Sequence, residues 1–417
     1  MKRYPKYKDS GIPWLGQIPE HWETKKIAEL FTERREKVSD KEFAALSVSK
    51  AGITPQLESA VKTDNGDNRK KVCEGDFVVN SRSDRKGSCG ISPYTGSVSL
   101  INTVLQPRKT VNRSYMHYLL RSNNYIEEYY RLGRGIVADL WTTRYSEARN
   151  IFLPYPPLPE QEKIVEYIDS KTNKIDAYVA ERERELKILS ELKQSQIAEV
   201  VTRGLNPDAP LKDSGIPWIG MIPEHWDVKR FGAICQLKSI CNCENEELLS
   251  VYLDRGVIRF SEDESKRTNP TSKDLTNYQL VEYGDFVLNN QQAWRGSVGV
   301  SKYRGIVSPA YFIFKLSANL DTDFANFLFR SKNYVAYYHI CSKGVGSIQR
   351  NLEWGKLKQK MVFIPPIGEQ KAIVEYINTK CNHRDTMVAN IKSEIAYLKE
   401  YKQRLIADAV TGAINVQ

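Results

Sequence analysis

The feature that most constrains this chain is that it repeats itself. The phrase KDSGIPWLGQIPEHW begins at Lys8, and the phrase KDSGIPWIGMIPEHW begins at Lys212, 204 residues later. Four further segments recur in the same order at a spacing of 209 residues: GDFVVN from Gly75, YLLRSNNY from Tyr118, PPLPEQEKIVEYIDSK from Pro156 and KQSQIAEVVT from Lys193. Because composition alone does not produce matches in one order, the sequence predicts a tandem duplication of a single folding unit.

The two copies agree in some regions and differ in others. Residues 40–72 and 244–281 hardly match, and neither do the segments after the GDF phrase, SRSDRKGSCG in the first copy and NQQAWRGSVG in the second. Two copies of one framework that carry two different surfaces suit a protein that holds two different ligands in a fixed relation. We therefore expect ligand recognition in the divergent segments.

Each copy consists of a mixed part followed by a helical part. The segments DFVVN, SVSLINTVLQP and GIVSPAYFIFKL have the β-branched and aromatic content of strands. The segments SYMHYLLRSNNYIEEYYRL and DFANFLFRSKNYVAYYHI have the periodicity of amphipathic helices. From Glu160 to about Thr202, and from Glu369 to about Thr411, there is neither Pro nor Gly. Each of these two stretches predicts one helix roughly 65 Å long.

The two long helices carry apolar stripes with intervals of three, four and seven residues, which suit a helix pair packed along its length. The stripe positions are Ile168, Ile175, Val179, Leu186, Leu189 and Val200 in the first helix, and Ile377, Val388, Ile391, Ile395, Leu398 and Leu405 in the second. One basic residue interrupts each stripe, because Arg384 falls at the place of Ile175 and Arg182 at the place of Ile391. An antiparallel pair could place both arginines away from the tightest contact. The fold class is α+β, with a globular domain at residues 1–155, a helix at 156–206, a second domain at 207–364 and a second helix at 365–417.

The charge balance favours a polyanionic partner. Lys and Arg exceed Asp and Glu by ten, and the pI is near 9.0, which points to nucleic acid first and to a membrane surface second. No apolar run approaches the roughly 18 to 20 residues that span a bilayer, and the basic start has no apolar core behind it, unlike a signal peptide. Seven cysteines in a long chain fit a reducing compartment, so we expect a cytoplasmic protein.

Motifs for catalysis or metal binding are not found in the sequence. There is no GxxxxGK[ST] phosphate loop, no GxGxxG after a strand and no HExxH, and Asn-Pro-Pro-aromatic is also missing. His21 and His225 lie in the repeated PEHW and are expected to be packed or capping residues. Asp76 and Asp285 of the GDF phrases are expected to cap turn amides. The tightest cysteine set, CQLKSICNC from Cys235, has no second Cys or His pair nearby, so we predict free thiols, no metal site and no catalytic residue.

Basic and amide side chains concentrate in the divergent segments. Arg and Lys bind phosphates, Arg pairs with guanine edges, and Asn or Gln pairs with adenine edges in the major groove. A solvated loop surface is the alternative for any one of these residues, although the set as a whole is both basic and divergent. The predicted DNA-binding residues are Arg69, Lys70, Lys71, Asn80, Arg82, Arg85, Lys86, Arg134 and Arg144 in the first copy, and Lys266, Arg267, Lys273, Asn290, Gln291, Gln292, Arg295, Lys343, Gln349 and Arg350 in the second.

These residues resemble a known family. The order DSGIPWLGQIPEHW, a variable region with GDFVVN, and PPLPEQEKIVEYID opening a long helix, all given twice, is similar to the specificity subunit of type I restriction–modification enzymes. The resemblance covers essentially the whole chain. The paired Pro-Pro…Glu-Gln helix openings in a duplicated framework are more specific than the basic charge.

The resemblance implies a function without catalysis. Each divergent region would be a target recognition domain for one half of a bipartite DNA sequence, and divergence between the domains implies an asymmetric target. The helices would form an antiparallel coiled coil that sets the gap between the half-sites. Two adenine methyltransferase subunits that use S-adenosylmethionine, and restriction subunits that hydrolyse ATP, would join as partners. S-adenosylmethionine, ATP and Mg would then be cofactors of these partners only, and the specificity subunit itself would need none.

One hypothesis concerns partner docking, and two other classes of function remain open. The exposed helix faces, with the matching Glu166 and Glu375, are predicted to bind the methyltransferase subunits. A coiled-coil scaffold that spaces two protein-binding domains would fit the same repeats, and it predicts no salt-dependent DNA affinity. A methyltransferase or nuclease acting unaided would show activity from the purified chain, which the missing motifs disfavour.

Overall fold

A computed structural model gives the arrangement of residues 2–57, 66–135, 141–253, 255–262, 274–345 and 349–416. The chain forms two compact units. Unit 1 consists of Met1–Arg182 and Lys392–Gln417, and unit 2 of Glu183–Ile391. Each unit therefore contains one globular domain together with parts of both long helices, a division that differs from the four consecutive segments expected from the sequence.

Unit 1 contains thirteen described strands and four short helices before the first long helix begins. The strands are β1 (Tyr7–Asp9), β2 (Gln17–Pro19), β3 (Glu23–Lys26), β4 (Phe31–Glu33), β5 (Lys37–Val38), β6 (Leu46–Ser49), β7 (Gly52–Pro55), β8 (Arg69–Val72), β9 (Phe77–Asn80), β10 (Cys89–Ile91), β11 (Gly96–Val98), β12 (Asn102–Pro107) and β13 (Phe152–Tyr155). The helices are α1 (Ile27–Leu30), α2 (Arg113–Leu120), α3 (Asn123–Arg131), α4 (Tyr145–Ala148) and the long α5 (Leu158–Arg203).

A four-stranded antiparallel sheet in the order β10-β9-β12-β4 forms the centre of unit 1. Val78 lies opposite Val104 in this sheet, and both are fully buried. Strand β13 pairs with β3, so the end of the globular domain returns to its start directly before α5. This pairing places the helix beside the repeated tryptophan phrase.

Unit 2 repeats this plan. Its strands are β14 (Leu211–Asp213), β15 (Met221–Pro223), β16 (Asp227–Arg230), β17 (Cys235–Lys238), β18 (Leu249–Tyr252), β19 (Gly256–Arg259), β20 (Gln279–Val281), β21 (Phe286–Asn289), β22 (Val298–Val300), β23 (Gly305–Val307), β24 (Tyr311–Leu316), β25 (Ser342–Val345), β26 (Gln349–Leu352) and β27 (Met361–Ile364). Its helices are α6 (Phe231–Ile234), α7 (Thr322–Arg330), α8 (Lys332–Ile340), α9 (Trp354–Leu357) and the long α10 (Ile367–Val410). The central sheet has the order β22-β21-β24-β17, which matches the sheet of unit 1 strand for strand.

Both long helices contribute to the core of each unit. In unit 1, Trp22 is fully buried in a cluster that includes Ile164 and Ile168 of α5 and Val410 of α10. In unit 2, Trp226 is buried in a cluster that includes Ile373 of α10 and Val201 of α5. The second tryptophan of each repeated phrase is thus a core residue. Of the first ones, Trp14 is half-buried and Trp218 is exposed.

The helices run antiparallel inside each unit. In unit 1, Asp176 of α5 binds Lys402 of α10 at 2.6 Å, and Tyr178 binds Glu394 at 2.8 Å, so the numbers rise along one helix and fall along the other. In unit 2, Lys193 binds Asp385 at 2.8 Å, the equivalent ion pair with the roles of the two helices exchanged. The predicted antiparallel helix pair is therefore confirmed.

The two basic interruptions of the stripes both find polar partners at the helix pair. Arg182 lies 3.2 Å from Glu394 in unit 1, and Arg384 donates a hydrogen bond of 2.5 Å to Gln196 in unit 2. Each arginine therefore contacts a polar side chain of the opposite helix.

Among the helices of the described residues, none is both long and apolar enough to cross a membrane.

The amphipathic segment before each long helix forms two helices rather than one. In unit 1 the break falls at Ser122, whose hydroxyl accepts a hydrogen bond from the Tyr125 N–H and donates one to the Leu119 carbonyl. A serine in this position caps the second helix, which competes with continuing the first. Ser331 separates α7 from α8 at the equivalent position; its hydroxyl donates a hydrogen bond to the Leu328 carbonyl but does not cap α8.

Candidate nucleic-acid interface

A glutamate at the start of each long helix binds the histidine of the repeated PEHW phrase. The Glu160 carboxylate is buried, accepts a hydrogen bond of 2.7 Å from the Tyr4 hydroxyl and lies 2.8 Å from His21 Nε2. In unit 2, Glu369 lies 2.8 Å from His225 Nε2 and accepts a hydrogen bond of 3.2 Å from the indole of Trp226. Each PEHW histidine is exposed and not packed in the core, but it binds the glutamate at the start of a long helix and so belongs to the framework.

The adjacent glutamine fixes the helices of the globular domain. Gln161 is fully buried, and its carbonyl oxygen accepts a hydrogen bond from the Asn112 N–H at 3.4 Å, directly before α2. Gln370 accepts the Asp321 N–H at 2.8 Å, directly before α7. The Glu-Gln dipeptide is a landmark in the sequence, and its structural role becomes clear only from these contacts.

The aspartates of the GDF phrases close a turn and bind one basic side chain each. Asp76 accepts a hydrogen bond of 2.8 Å from the N–H of Cys73 and binds Arg34 at 2.7 Å. Its hydrogen bond raises the pKa of Arg34. Asp285 accepts the N–H three residues before it and binds Lys238 at 2.7 Å. The predicted capping role of both aspartates is confirmed.

An arginine that sequence reasoning missed supports the divergent hairpins. Residues 40–72 and 244–281 hardly match in sequence, yet each contains the same hairpin, β6–β7 in one unit and β18–β19 in the other. Arg121 donates to the Lys50 carbonyl at 2.7 Å, and Arg330 donates to the Leu253 carbonyl at 3.1 Å. The signal was the arginine shared by YLLRSNNY and FLFRSKNY, which are 209 residues apart.

The loop after β9, residues 81–88, is called tip 1. Its basic side chains meet carboxylates of the same unit: Arg82 lies 3.0 Å from Asp84, and Arg85 lies 3.8 Å from it. Lys86 lies 2.5 Å from Glu127 of α3. The Asn80 side chain, predicted to contact DNA, accepts the N–H of Arg82 at 3.1 Å and so shapes the tip.

Two further predicted arginines lie beside tip 1. Arg82 pairs with Thr142 through an isolated bridge, and Thr142 exchanges backbone hydrogen bonds of 3.2 and 2.9 Å with Arg134. Arg144 follows two residues later, and Arg134 and Arg144 are both exposed. The structure therefore brings Arg82, Arg85, Lys86, Arg134 and Arg144 to one region of unit 1.

The three predicted basic residues of β8 do not join that surface. Arg69 is 5% exposed, and its guanidinium donates to the Ser97 hydroxyl at 2.9 Å and to its carbonyl at 3.1 Å. Burial lowers its pKa. Lys70 donates to a backbone carbonyl at 2.7 Å, and burial lowers its pKa as well. Lys71 binds Glu36 at 2.8 Å. These contacts support a structural role for the β8 residues, and DNA contact by them stays a prediction.

The loop after β21, residues 290–297, is called tip 2. The Asn290 side chain accepts the Leu352 N–H at 2.7 Å and so joins β26 to the tip, which makes it a framework residue. Gln291 and Gln292 are half-buried next to it. Arg295 is exposed, and its guanidinium lies 4.7 Å from the centroid of the Trp294 ring.

The remaining predictions of unit 2 concern the β25–β26 hairpin and a segment before β20. Lys343 is exposed on β25, and Arg350 of β26 is half-buried with a hydrogen bond of 3.2 Å to the Ser342 carbonyl. Gln349 lies on β26, with a side chain that is not described. Lys266, Arg267 and Lys273 lie outside the described residues.

The predicted partner-binding residues lie on the exposed faces of the long helices. Glu166 is exposed on α5, and Glu375 is exposed on α10, where it borders a shallow cleft with Asp323 and Lys371. The two positions are equivalent in the 209-residue repeat. Both side chains are therefore accessible to a second molecule.

A comparison with protein families shows to which family the chain belongs. The model of the type I restriction modification DNA specificity domain matches residues 19–187 and again residues 223–397. The chain belongs to this family. The match falls once on each copy of the repeat and covers the two tips and most of both long helices.

Relatives of known type are similar over nearly the full length. The type I restriction enzyme EcoKI specificity subunit of Escherichia coli K12 is 21% identical over 366 residues, which cover 83% of this chain and 76% of that protein. The MjaVIII specificity subunit of Methanocaldococcus jannaschii is 22% identical over 427 residues, covering 96% and 95%. The resemblance to specificity subunits of type I restriction enzymes is thereby confirmed.

A solved structure supports the fold. A chain from work on complex assembly and conformational transition of the type I restriction–modification system superimposes with a TM-score of 0.64 at 15% identity, covering 94% of this chain and 98% of that one. The α+β class with two similar domains, each followed by a long helix, is confirmed.

Proposed function

We propose that this chain is the subunit of a type I restriction–modification enzyme that recognises a bipartite, asymmetric DNA sequence. Each globular domain recognises one half of the target with its tip and the neighbouring loops. The two halves differ because the tips differ, while the framework that carries them is the same. The expected role of the helices in setting the gap between the half-sites stays a prediction.

The observation that carries this proposal is the contrast between framework and tips. The family model matches both copies, and the sheets, the Glu-Gln helix openings and the turn aspartates correspond residue by residue. The loops that replace one another on this framework, SRSDRKGS and NQQAWRGS, share a cation followed by Gly-Ser but differ at the five positions before it. Base-edge recognition needs such specific and variable side chains, whereas phosphate contacts carry no sequence information.

The proposed subunit acts by binding, without chemistry of its own. The buried carboxylates of Glu160, Asp76 and Asp285 are engaged in framework contacts. S-adenosylmethionine, ATP and Mg would be bound by methyltransferase and restriction subunits. The scaffold alternative, two protein-binding domains on a helix pair, is disfavoured by membership of a DNA specificity family.

Selection from random DNA tests the recognition. The full chain, purified together with its methyltransferase partner, is mixed with duplexes of random sequence, and the bound fraction is sequenced over a salt series. We expect one bipartite sequence to be enriched, and an affinity whose logarithm falls linearly with the logarithm of the salt concentration because phosphate contacts release counterions. Retention that does not depend on salt or sequence would favour the scaffold alternative.

Charge reversal on the long helices tests the partner surface. In the double variant Glu166→Lys with Glu375→Lys, both equivalent helix positions change sign, and we expect pull-down of the methyltransferase subunit to fall about tenfold or more. The double variant Glu191→Lys with Glu400→Lys is the matched control, because these exposed glutamates are also equivalent and lie later in the same helices. Equal pull-down by both double variants and the unmodified chain would contradict this docking site.

A further inference from the structure

The two tips occupy the same place in their units, but their basic side chains have different surroundings. Tip 1 follows β9 and tip 2 follows β21, which are equivalent strands of the two central sheets. Each tip contains a glycine with a left-handed backbone, Gly87 at φ +79° and Gly296 at φ +102°. The 209-residue spacing places Arg295 of tip 2 at the position of Lys86 in tip 1. This correspondence allows the two cations to be compared in one framework.

Tip 1 neutralises its own cations. Arg82 and Arg85 share the Asp84 carboxylate, and Lys86 is paired with Glu127 of α3. A cation in such a pair must give up its partner before it binds another acceptor. Tip 1 therefore presents its positive charges already bound.

Tip 2 lacks those two carboxylates. Ala293 stands where tip 1 has Asp84, and Ala336 stands where α3 has Glu127. Within the part of the chain that the structure describes, no carboxylate lies within salt-bridge distance of Arg295. Its guanidinium is exposed and lies over the ring of Trp294. Stacking occupies one face of the guanidinium and leaves its edge N–H groups available as donors.

The tryptophan under this guanidinium is itself fixed. The Trp294 indole donates a hydrogen bond of 3.1 Å to the Gln291 carbonyl, and its ring centroid lies 6.0 Å from that of His339. A fixed ring restricts the rotamers of the arginine that lies on it. The fork of donors is therefore oriented before a ligand arrives, which reduces the entropy lost on binding.

We propose that Arg295 recognises a guanine base in the half-site bound by the second domain. The proposal rests on the proposed function and adds a specific residue and a specific base to it. A planar fork of donors without a carboxylate partner matches the O6 and N7 acceptors of guanine in the major groove. Trp294 positions this fork. Lys86, at the equivalent place in tip 1, is bound to Glu127 and does not carry such a contact.

The test is the pattern of adenine methylation in a host that carries the chain and its methyltransferase partner. For Arg295→Ala and Arg295→Lys we expect the methylated sequence to relax at one guanine position in one half-site, with the preference for guanine there falling about tenfold or more. The other half-site stays unchanged. Lysine keeps the charge but not the fork, so it does not restore the preference.

A basic residue elsewhere in the same framework provides the control for these variants. Lys302→Ala, at an exposed cation of unit 2 that pairs with Asp323 of α7 and lies outside the tips, is expected to leave the methylated sequence unchanged. An unchanged sequence in Arg295→Ala overturns the inference. So does weaker methylation of the same sequence that Arg295→Lys restores, because that pattern indicates a phosphate contact. If the unmodified chain directs no bipartite sequence at all, the proposed function fails too. Thermal unfolding of each variant verifies that the exposed substitutions leave the fold intact.

Discussion

Equivalent residues of the two copies perform the same structural task with different chemistry. The ring of His117 accepts a hydrogen bond from the Ile91 N–H at 3.3 Å in unit 1. Asn326, at the equivalent position of unit 2, accepts the Val300 N–H at 3.1 Å with its side-chain carbonyl. An amide does not titrate in the physiological range, whereas a histidine does. Only the first unit therefore gains a pH dependence from this position.

The stability of unit 1 is predicted to fall in mild acid because of His117. Burial, and then the charge of Arg121, lower its pKa from 6.5 to about 4. Between these two values the unfolded chain binds more protons than the folded one, so the stability is present above pH 6.5 and is lost as the pH falls towards 4. We expect this histidine to account for a loss of about 2 kcal/mol in the free energy of unfolding.

The variant His117→Asn isolates this effect, because it introduces the residue that the second copy uses for the same hydrogen bond. Urea unfolding at pH 7 and at pH 4.5 is measured for both proteins. The unmodified chain should lose more stability between the two pH values than the variant does. Equal losses would show that His117 is not the titrating group.

Burial separates the basic residues of unit 1 into two groups with opposite expected phenotypes. Arg69→Ala removes two hydrogen bonds of a buried guanidinium and should lower the free energy of unfolding by about 1–3 kcal/mol. Arg85→Ala, whose side chain is 67% exposed, should leave stability unchanged and weaken DNA binding, with a salt slope smaller by about 1. Chemical unfolding and a binding titration at several salt concentrations measure the two effects. Weaker specific binding by a stable Arg69→Ala would restore that residue to the interface.

At the scale of elements, the last turns of α10 complete the core of unit 1. Val410 is fully buried beside Trp22, and its carbonyl accepts a hydrogen bond of 2.8 Å from the Tyr115 hydroxyl. After the helix, the Asn415 N–H bonds to the Lys2 carbonyl at 2.9 Å. Residues near the two ends of the described chain therefore meet in unit 1.

A charge placed in these last turns is predicted to unfold the first domain. Val410→Asp buries an unpaired carboxylate and should cost at least about 3 kcal/mol of stability in unit 1. Ala413→Asp, three residues later at an exposed position, is the matched control and should have little effect. Limited proteolysis followed by mass spectrometry would locate the cleavage sites. Cleavage confined to unit 2, or equal resistance of both variants, would contradict the packing of α10 into unit 1.

Several elements could be predicted from the sequence and others could not. The long helices were predictable because about forty residues without Pro or Gly, striped every three or four residues, leave few other choices. The break at Ser122 was missed because the apolar periodicity continues through it while the serine hydroxyl caps a new helix. The β6–β7 and β18–β19 hairpins share a fold without shared sequence, so a repeat search does not find them.

At the scale of the whole molecule, the duplication was evident from the sequence, whereas the composition of the units was not. Landmarks in order show that there are two copies, but they do not reveal that Val410 packs with the first copy and Val201 with the second. The same limit applies to the interface. A basic residue in a divergent segment looks the same in the sequence whether it is exposed, as Arg295 is, or buried, as Arg69 is.

The central claim is that one chain recognises two different half-sites through two copies of one framework. Sequencing of methylated adenines in host genomic DNA, with this gene present and with it deleted, tests that claim most directly. We predict one methylated sequence that depends on the gene and consists of two different specified halves separated by an unspecified gap. Identical methylation in both hosts, or a gene-dependent sequence that is continuous or has two identical halves, would contradict the account.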